Sequence, residues 1–163
     1  MKNFYSSLIF IVFLIGCGLN TPKTFSETAL QQEMYQQDNS KIKFQEILKQ
    51  NKGHKILVNV WASWCRDCIE AIPKLKALQK SFPNIKYVFV STDRNFYSWK
   101  KAISKYKIDG DHYFLENGMN NDFGDFLNSN WVPRYLVVNE IGFVDLFKAK
   151  QITDVRIVNA LKK

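Results

Sequence analysis

The chain has 163 residues, of which 46% are hydrophobic and 15% aromatic, enough for the core of one domain and a short leader. Its 23 lysine and arginine residues exceed its 15 aspartate and glutamate residues, and the resulting net charge of +8 is spread along the chain without a long basic run. This distribution predicts no nucleic-acid partner, although it suits anionic lipid headgroups or acidic proteins. Three cysteines are too few for a disulfide scaffold.

The first predicted segment is a leader that ends at a cysteine. An apolar run over residues 8–15 follows Lys2 and is too short to cross a bilayer, which needs about 20 apolar residues. It has the length of the apolar region of a signal peptide. Residues 14–17, Leu-Ile-Gly-Cys, resemble the bacterial lipobox, whose cysteine is acylated and becomes the new N-terminus. We predict a lipoprotein signal peptide over residues 1–16, with an ordinary secretory signal or an uncleaved anchor as alternatives.

The mature chain is predicted to consist of an anchor, a tether and one domain. Lipidation of Cys17 attaches the chain to a membrane of the cell envelope, where it faces the periplasm or the cell exterior. Residues 17–40 are polar and are predicted to form a tether and N-terminal extension, with a helix within residues 27–37. The folded domain is predicted to span residues 41–163.

The domain begins with a predicted helix over residues 41–50, capped at residues 39–40 by Asn-Ser. The next element, residues 55–61, is almost entirely apolar and is predicted to be a buried strand. A helix over residues 65–81 follows, with apolar residues at every third or fourth position and a kink expected at Pro73.

The later elements complete an α/β pattern. They are strands over residues 85–91, 112–115, 134–138 and 143–148, and helices over residues 96–106, 121–127 and 154–161. The helix over residues 65–81 crosses over between the first two strands, so these are predicted to be parallel, whereas the turn at Gly142 makes the last two antiparallel. The pattern predicts a mixed central sheet with helices on both faces.

The candidate catalytic residues are Cys65 and Cys68, which form a Cys-x-x-Cys between the first buried strand and the helix that follows it. Backbone N–H groups and the helix dipole stabilise an anion at this position. A free thiol has a pKa of about 8.5, so this setting favours Cys65 as the nucleophile and leaves Cys68 to resolve a mixed disulfide. Zinc binding with His54 and His112 is an alternative, although a zinc site normally draws on a second, closely spaced pair.

Residues 58–68, Val-Asn-Val-Trp-Ala-Ser-Trp-Cys-Arg-Asp-Cys, resemble the thioredoxin superfamily and, within it, the TlpA/ResA-like extracytoplasmic branch. Pro73 and the pair Val132 and Pro133 extend the resemblance, which covers residues 41–163. It implies a thioredoxin-like fold in which Pro133 belongs to the cis-proline loop opposite the dithiol. In the family this proline keeps the cysteines from binding metal, and the backbone of its loop is offered to the substrate strand.

The resemblance carries three further expectations. Trp64 shields the dithiol and contacts the substrate, as a substrate-binding residue beside Val132 and Pro133. No cofactor is needed beyond the redox-active disulfide, and no metal is expected. Asn59 stands where cytoplasmic thioredoxins carry a buried aspartate, and asparagine is usual in the TlpA/ResA-like branch.

Arg66, Asp67 and Glu70 are the candidate residues that tune the pKa of the dithiol. Arg66 favours the Cys65 thiolate and Asp67 opposes it, so the two charges shift the reduction potential in opposite directions. The branch commonly has a glutamate three residues after the second cysteine, where this chain has Ala71. If Glu70 faces away from the dithiol, the chain lacks that general base.

The resemblance implies a thiol–disulfide oxidoreductase that takes electrons from a membrane donor and reduces disulfides in exported proteins. One family substrate is apocytochrome c, in cytochrome c biogenesis, and another role is general thiol maintenance. A disulfide oxidase or isomerase is the alternative within the enzyme class. A redox-inactive binding module or a metallochaperone is the alternative outside it.

Overall fold

The computed structural model describes residues 21–163, so the predicted leader and the lipidation of Cys17 lie outside the described residues. The helices are α1 (Glu27–Gln31), α2 (Phe44–Gln50), α3 (Arg66–Glu70), α4 (Ile72–Ser81), α5 (Phe96–Tyr106), α6 (Asp122–Leu127) and α7 (Val155–Lys162). The strands are β1 (Glu33–Tyr35), β2 (Lys41–Lys43), β3 (Ile56–Trp61), β4 (Lys86–Ser91), β5 (Asp111–Phe114), β6 (Arg134–Val138) and β7 (Val144–Ala149). None of these helices of the described chain has both the length and the apolar character that crossing a membrane requires.

Within residues 21–163 the strands form one sheet of seven, in the order β2-β1-β5-β4-β3-β6-β7. The central strands β3, β4 and β5 are parallel, whereas β6 pairs antiparallel with both β3 and β7. The predicted parallel pair and the predicted antiparallel hairpin are therefore confirmed. The predicted α/β class, with a mixed sheet, is confirmed as well.

Helices cover both faces because the central strands are apolar on both sides. Every residue of β3 and of β6 is buried, the pattern of strands that lie between two helical layers. Right-handed crossovers place α4 and α5 on the same face, where Lys76 of α4 donates to the carbonyl oxygen of Tyr106 at 2.7 Å. The helices α1, α2 and α6 form a second layer, in which the Phe44 ring lies 4.9 Å from Phe25 and 4.8 Å from Phe123.

The N-terminal part of the domain differs from its prediction. The helix predicted within residues 27–37 ends at Gln31, and the helix predicted over residues 41–50 begins only at Phe44, because a hairpin of β1 and β2 lies between them. Each strand of the hairpin buries one apolar side chain, Met34 or Ile42, which leaves too short a pattern to recognise.

This hairpin belongs to the main sheet. Tyr35 pairs with Phe114, which joins β1 to β5, and Phe25 is buried in the common core. The boundary predicted between residues 40 and 41 falls within the hairpin, so residues from Phe25 onwards pack with the domain.

The helix predicted over residues 65–81 is divided into α3 and α4 at Ala71. The cause is Pro73, at the predicted kink, which occupies the first turn of α4 and has no N–H to give to the carbonyl oxygen of Ile69. A proline is tolerated in a first turn because an N–H there has no partner within the helix. The break leaves α3 as a helix of five residues that carries the Cys-x-x-Cys.

Candidate active site

Cys65 and Cys68 lie where β3 passes into α3 and are joined by a disulfide, with their Cα atoms 5.2 Å apart. Cys65 is the N-cap of α3, and its Sγ accepts a hydrogen bond from the backbone N–H of Cys68 at 3.1 Å. A donor so placed stabilises a thiolate on Cys65 once the disulfide is reduced. Both cysteines are almost completely buried.

The loop that leads into the disulfide is held by Asp93, a residue that the sequence analysis did not identify. The buried Asp93 carboxylate accepts hydrogen bonds from the Ser63 backbone N–H at 3.0 Å and the Ser63 hydroxyl at 2.6 Å. Its other oxygen accepts from the Ser91 hydroxyl at 2.8 Å. Ser63 lies two residues before Cys65, so these bonds fix the approach to the dithiol. Thirty positions separate Ser63 from Asp93, and no local motif links them.

The loop before β6 faces the disulfide. The peptide bond between Val132 and Pro133 is cis, and the carbonyl oxygen of Val132 lies 3.7 Å from the Sγ of Cys65. Both loop residues are buried. The carbonyl oxygen of Pro133 already accepts from the guanidinium of Arg134 at 2.8 Å, so this loop is braced from within. The structure thus brings together Cys65, Cys68, Val132 and Pro133.

Two tryptophans lie beside the cysteines and differ in how firmly they are held. Trp64 is 60% exposed, whereas Trp131 is 46% exposed and stacks on the Arg134 guanidinium, 3.7 Å from the ring centroid. Lys150 approaches the Trp131 ring to 5.3 Å. Burial lowers the pKa of Arg134 from its ordinary value, because desolvation disfavours the charged guanidinium. An exposed indole and a braced indole therefore flank the approach to the dithiol.

A cleft of about 420 Å³ opens beside the disulfide. It lies between the start of α3 and α4, the cis-proline loop and the segment that follows β7. The lining includes Asp67, Glu70, Lys74, Trp131, Pro133 and Lys150. Its charges are therefore mixed, with two carboxylates and two ammonium groups.

The predicted tuning residues are placed unequally around the dithiol. Arg66 and Glu70 form an ion pair at 2.7 Å, with 87% and 61% of their side chains exposed. The hydrogen bond to Glu70, with its charge, raises the pKa of Arg66 above the ordinary value. The Glu70 carboxylate is thus held in solvent by Arg66, and Ala71 provides no acidic group in its place. Asp67 lies in the first turn of α3 and has no ion-pair partner within residues 21–163.

Asn59 is a buried polar residue in the middle of β3. It pairs in register with Phe89 of β4 and Tyr135 of β6, and its side chain is buried. Its Oδ1 has no hydrogen-bond partner among the described residues. An amide at this position cannot donate or accept a proton at neutral pH, unlike the aspartate of cytoplasmic thioredoxins.

The histidines considered as zinc ligands do not join the cysteines. His54 is exposed in the turn before β3, whereas His112 is buried in β5 with its Nε2 3.0 Å from the carbonyl oxygen of Ile108. Burial lowers the pKa of His112, because desolvation disfavours the imidazolium. Within residues 21–163, no three side chains of histidine, cysteine, aspartate or glutamate are grouped so as to hold a metal ion.

A disulfide at the start of a helix and facing a second loop is a site for thiol–disulfide exchange. This fold and site define a thiol–disulfide oxidoreductase, which confirms the predicted class of enzyme. Residues 53–144 match the family described as Thioredoxin-like, and because the match covers more than half of the chain, the protein belongs to that family. The predicted relation to the thioredoxin superfamily is therefore confirmed.

Known proteins similar to this chain agree with the assignment. It is 26% identical over 156 residues to the thioredoxin-like protein YneN of Bacillus subtilis, covering 88% of each chain. Its structure is similar to the thioredoxin domain of a thiol-disulfide oxidoreductase from Bacteroides vulgatus, with a TM-score of 0.66, 22% identity and coverage of 83% of this chain and 95% of that one. A secreted disulfide oxidoreductase of Mycobacterium tuberculosis gives a TM-score of 0.62 at 14% identity, covering 84% and 98% of the two chains. At these identities the two structures support the fold.

Proposed function

We propose that the protein reduces disulfides in exported proteins, outside the cytoplasmic membrane. The Cys65 thiolate attacks one sulfur of a substrate disulfide, forms a mixed disulfide and releases the other substrate sulfur as a thiol. The Cys68 thiolate then attacks the Sγ of Cys65, which releases the second substrate thiol and leaves the Cys65–Cys68 disulfide. Two electrons pass from the dithiol to the substrate, and no cofactor takes part in the exchange.

The observation that carries this proposal is the setting of the Cys65 Sγ. It caps α3, accepts the N–H of Cys68 and faces the carbonyl oxygen of Val132. A substrate cysteine arriving between Cys65 and the cis-proline loop meets a stabilised thiolate and the Val132 backbone together. We assign Cys65 as the nucleophile for this reason, and Cys68, one turn into the helix, as the resolving cysteine.

Substrate binding is assigned to the residues around the space between Cys65 and the cis-proline loop. The backbone at Val132 and Pro133 is placed to pair with an extended segment of the substrate, because the Val132 carbonyl oxygen faces the sulfur that attacks. The exposed Trp64 indole offers an apolar surface next to Cys65 for the side chains beside the substrate cysteine. An extended, partly unfolded segment suits such a site better than a folded surface.

The exposed charges near the dithiol offset part of the stabilisation that the Cys68 N–H gives the Cys65 thiolate, and this offset favours the reducing direction. Arg66 is engaged by Glu70, whereas Asp67 has no ion-pair partner within the described residues and opposes a negative charge on Cys65. A less stable thiolate makes a dithiol a better reductant, because the reduced form gains less from ionisation. In an oxidising space this reductant must be regenerated, so the proposal includes a membrane protein as electron donor.

The cell-envelope location rests on the leader and on Cys17. A signal peptide that ends in a lipobox delivers the chain across the membrane and attaches it there by the lipid on Cys17. The secreted relative in fold from Mycobacterium tuberculosis is consistent with work outside the cytoplasm. Intact-mass analysis of the membrane-bound protein tests this part, since an N-terminus that retains Met1 without a lipid contradicts it.

The reaction is tested by trapping. In a Cys68→Ala variant of the full-length protein, the mixed disulfide at Cys65 cannot be resolved, so we expect covalent complexes with exported proteins that reducing agent dissolves. The matched Cys65→Ala variant lacks the nucleophile and should capture none of them. If Cys68→Ala captures no protein while its Cys65 still reacts with an alkylating reagent, protein disulfides are not the substrate.

The direction of electron transfer is tested by the reduction potential of the Cys65–Cys68 pair. We expect a value near that of thioredoxin, about −270 mV, rather than that of disulfide isomerases, about −180 mV. Equilibration of the full chain with glutathione mixtures, read by alkylation and mass, measures it. A value at or above that of the isomerases rejects the reducing direction and favours the oxidase or isomerase alternative.

A further inference from the structure

The end of the sheet opposite the disulfide carries a separate exposed surface. Ile56, the first residue of β3, pairs with Val138, the last residue before the β6–β7 turn, whereas the disulfide follows Trp61 at the other end of β3. Six strand residues at about 3.3 Å each separate the two ends by roughly 20 Å. The β6–β7 turn and the dithiol therefore point in opposite directions.

Two large apolar side chains are exposed at this turn. Ile141 is 71% exposed and Phe143 is 44% exposed. The turn is fastened to the domain, because the backbone N–H of Gly53 donates to the carbonyl oxygen of Glu140 at 2.9 Å. The apolar pair is thus presented on a braced support next to the turn between α2 and β3.

Basic residues surround the apolar pair. Lys49, in the last turn of α2, and Lys52, in the turn that follows it, line a groove with Ile141. Lys162 lies in the last turn of α7, whose Ala160 carbonyl oxygen is 3.4 Å from the Nζ of Lys55. Lys86 begins β4 beside Ile56 but shares a groove with Asp109 and Asp111, so it is left out of this surface. We name as the basal surface the exposed residues Lys49, Lys52, Ile141, Phe143 and Lys162. Its nearby carboxylates, Glu140 and Asp145, already face Lys55 at 3.8 and 4.0 Å.

The position of the chain's N-terminal side links the basal surface to a membrane. The backbone N–H of Val144, next to Phe143, donates to the carbonyl oxygen of Lys23 at 2.8 Å. Lys23 is six residues after Cys17, and six residues span at most about 20 Å even when fully extended. A lipid on Cys17 therefore keeps the basal surface within about that distance of the bilayer.

We propose that the basal surface docks on anionic lipid headgroups of the membrane that holds Cys17. This inference rests on the lipid anchor of the proposed function and adds an orientation to it. The Ile141 and Phe143 side chains enter the headgroup region, and the surrounding lysines neutralise lipid phosphates. The dithiol then lies on the far side of the domain, facing the aqueous space from which exported substrates arrive.

Photocrosslinking of the mature, lipidated protein in vesicles tests the docking. The photoreactive residue p-benzoylphenylalanine replaces Ile141 or, as a control, Tyr97, which is 73% exposed at the start of α5 on the dithiol end. We expect lipid adducts from position 141 in vesicles that contain phosphatidylglycerol, and none from position 97. Equal adducts at both positions, no lipid adduct at 141, or adducts at 141 to a protein instead of lipid each overturn the proposal.

The same crosslinking assay tests the contribution of the lysines to docking. Each basic residue near an anionic surface contributes about fivefold to binding, so Lys49→Gln with Lys52→Gln should lower the ratio of docked to undocked protein by about 25-fold. The crosslink yield at position 141 should fall accordingly. The matched pair Arg94→Gln and Lys101→Gln removes the same charge elsewhere and should leave the yield unchanged. Equal yields from the two double variants overturn the electrostatic part.

Different measurements reject the lipid anchor and the docking of the basal surface. The intact mass of the same sample reports whether Cys17 carries a lipid, independently of any crosslink. A lipidated protein without adducts at position 141 overturns the docking and leaves the anchor, whereas an unlipidated mature protein rejects the anchor on which the docking rests.

Discussion

The Asp93 carboxylate is buried, and its hydrogen bonds come from Ser63 and Ser91. It has no ion-pair partner among the described residues. Such a group is stable only while its donors stay in place, because a buried charge that loses a donor must bear its desolvation cost. Ser63 leads directly to the catalytic loop and Ser91 ends β4. The carboxylate therefore ties the reactive loop to the sheet.

An Asp93→Asn variant should show how much these hydrogen bonds to Asp93 contribute to stability. The amide turns an acceptor into a donor that faces a serine hydroxyl or backbone N–H, and we expect a loss of about 1–3 kcal/mol in the free energy of unfolding. Denaturant unfolding of the oxidised protein measures it. Asp125→Asn, at an exposed position of α6, is the control and should leave stability unchanged. A similar loss in both variants is inconsistent with a stabilising role of the Asp93 hydrogen bonds.

At the scale of the element, the start of β5 depends on the absence of a side chain. Gly110 has a φ of +136° just before β5, and a β-carbon there would lie 2.6 Å from the carbonyl oxygen of Tyr87 and 2.7 Å from the Phe89 ring. Both contacts belong to β4, which β5 joins in parallel at Val88. The glycine lets the chain turn closely over its neighbour before the strand begins.

The variant Gly110→Ala should therefore destabilise the fold through both strain and crowding. We expect a loss of about 3 kcal/mol in the free energy of unfolding. Gly53→Ala is the matched control, because Gly53 also has a positive φ, of +88°, but an added β-carbon meets nothing within 4 Å. Its loss should be about 1 kcal/mol, from the backbone alone. Equal losses in denaturant unfolding contradict a role for the close approach.

Across the whole molecule, the segment before the matched family region is part of the core. The family match begins at residue 53, yet Phe25 is buried and its ring lies 4.9 Å from Phe44 and 5.0 Å from Phe126. These contacts connect the N-terminal segment to helices on either side of the family region's start. The domain should unfold as one cooperative unit.

A Phe25→Ala variant tests whether the N-terminal segment unfolds together with the rest of the domain. Loss of a buried aromatic ring should lower the free energy of unfolding by about 3 kcal/mol, and both circular dichroism and tryptophan fluorescence should report the same lowered midpoint. Tyr97→Ala, which truncates an aromatic side chain that is 73% exposed, is the comparison and should have little effect. An unchanged midpoint for Phe25→Ala indicates that the segment packs too weakly to matter.

Elements with a long periodic pattern or a continuous apolar run were predictable in both type and extent. The helix predicted over residues 96–106 and the strand predicted over residues 134–138 coincide with α5 and β6. The hairpin of β1 and β2 was missed because strands of three residues, each with one buried side chain, carry no period to recognise.

The sequence by itself determined the dithiol, its place at a helix start and the crossover that makes β3 and β4 parallel. All of these depend on residues close together in the chain, where spacing and helix chemistry act directly. Only the tertiary structure decided that the Val132 carbonyl oxygen meets Cys65 across 67 positions and that Asp93 accepts hydrogen bonds from Ser63 across 30. Contacts between distant segments arise from the packing of the whole sheet, and side-chain partners are chosen by geometry, so neither leaves a periodic trace in the sequence.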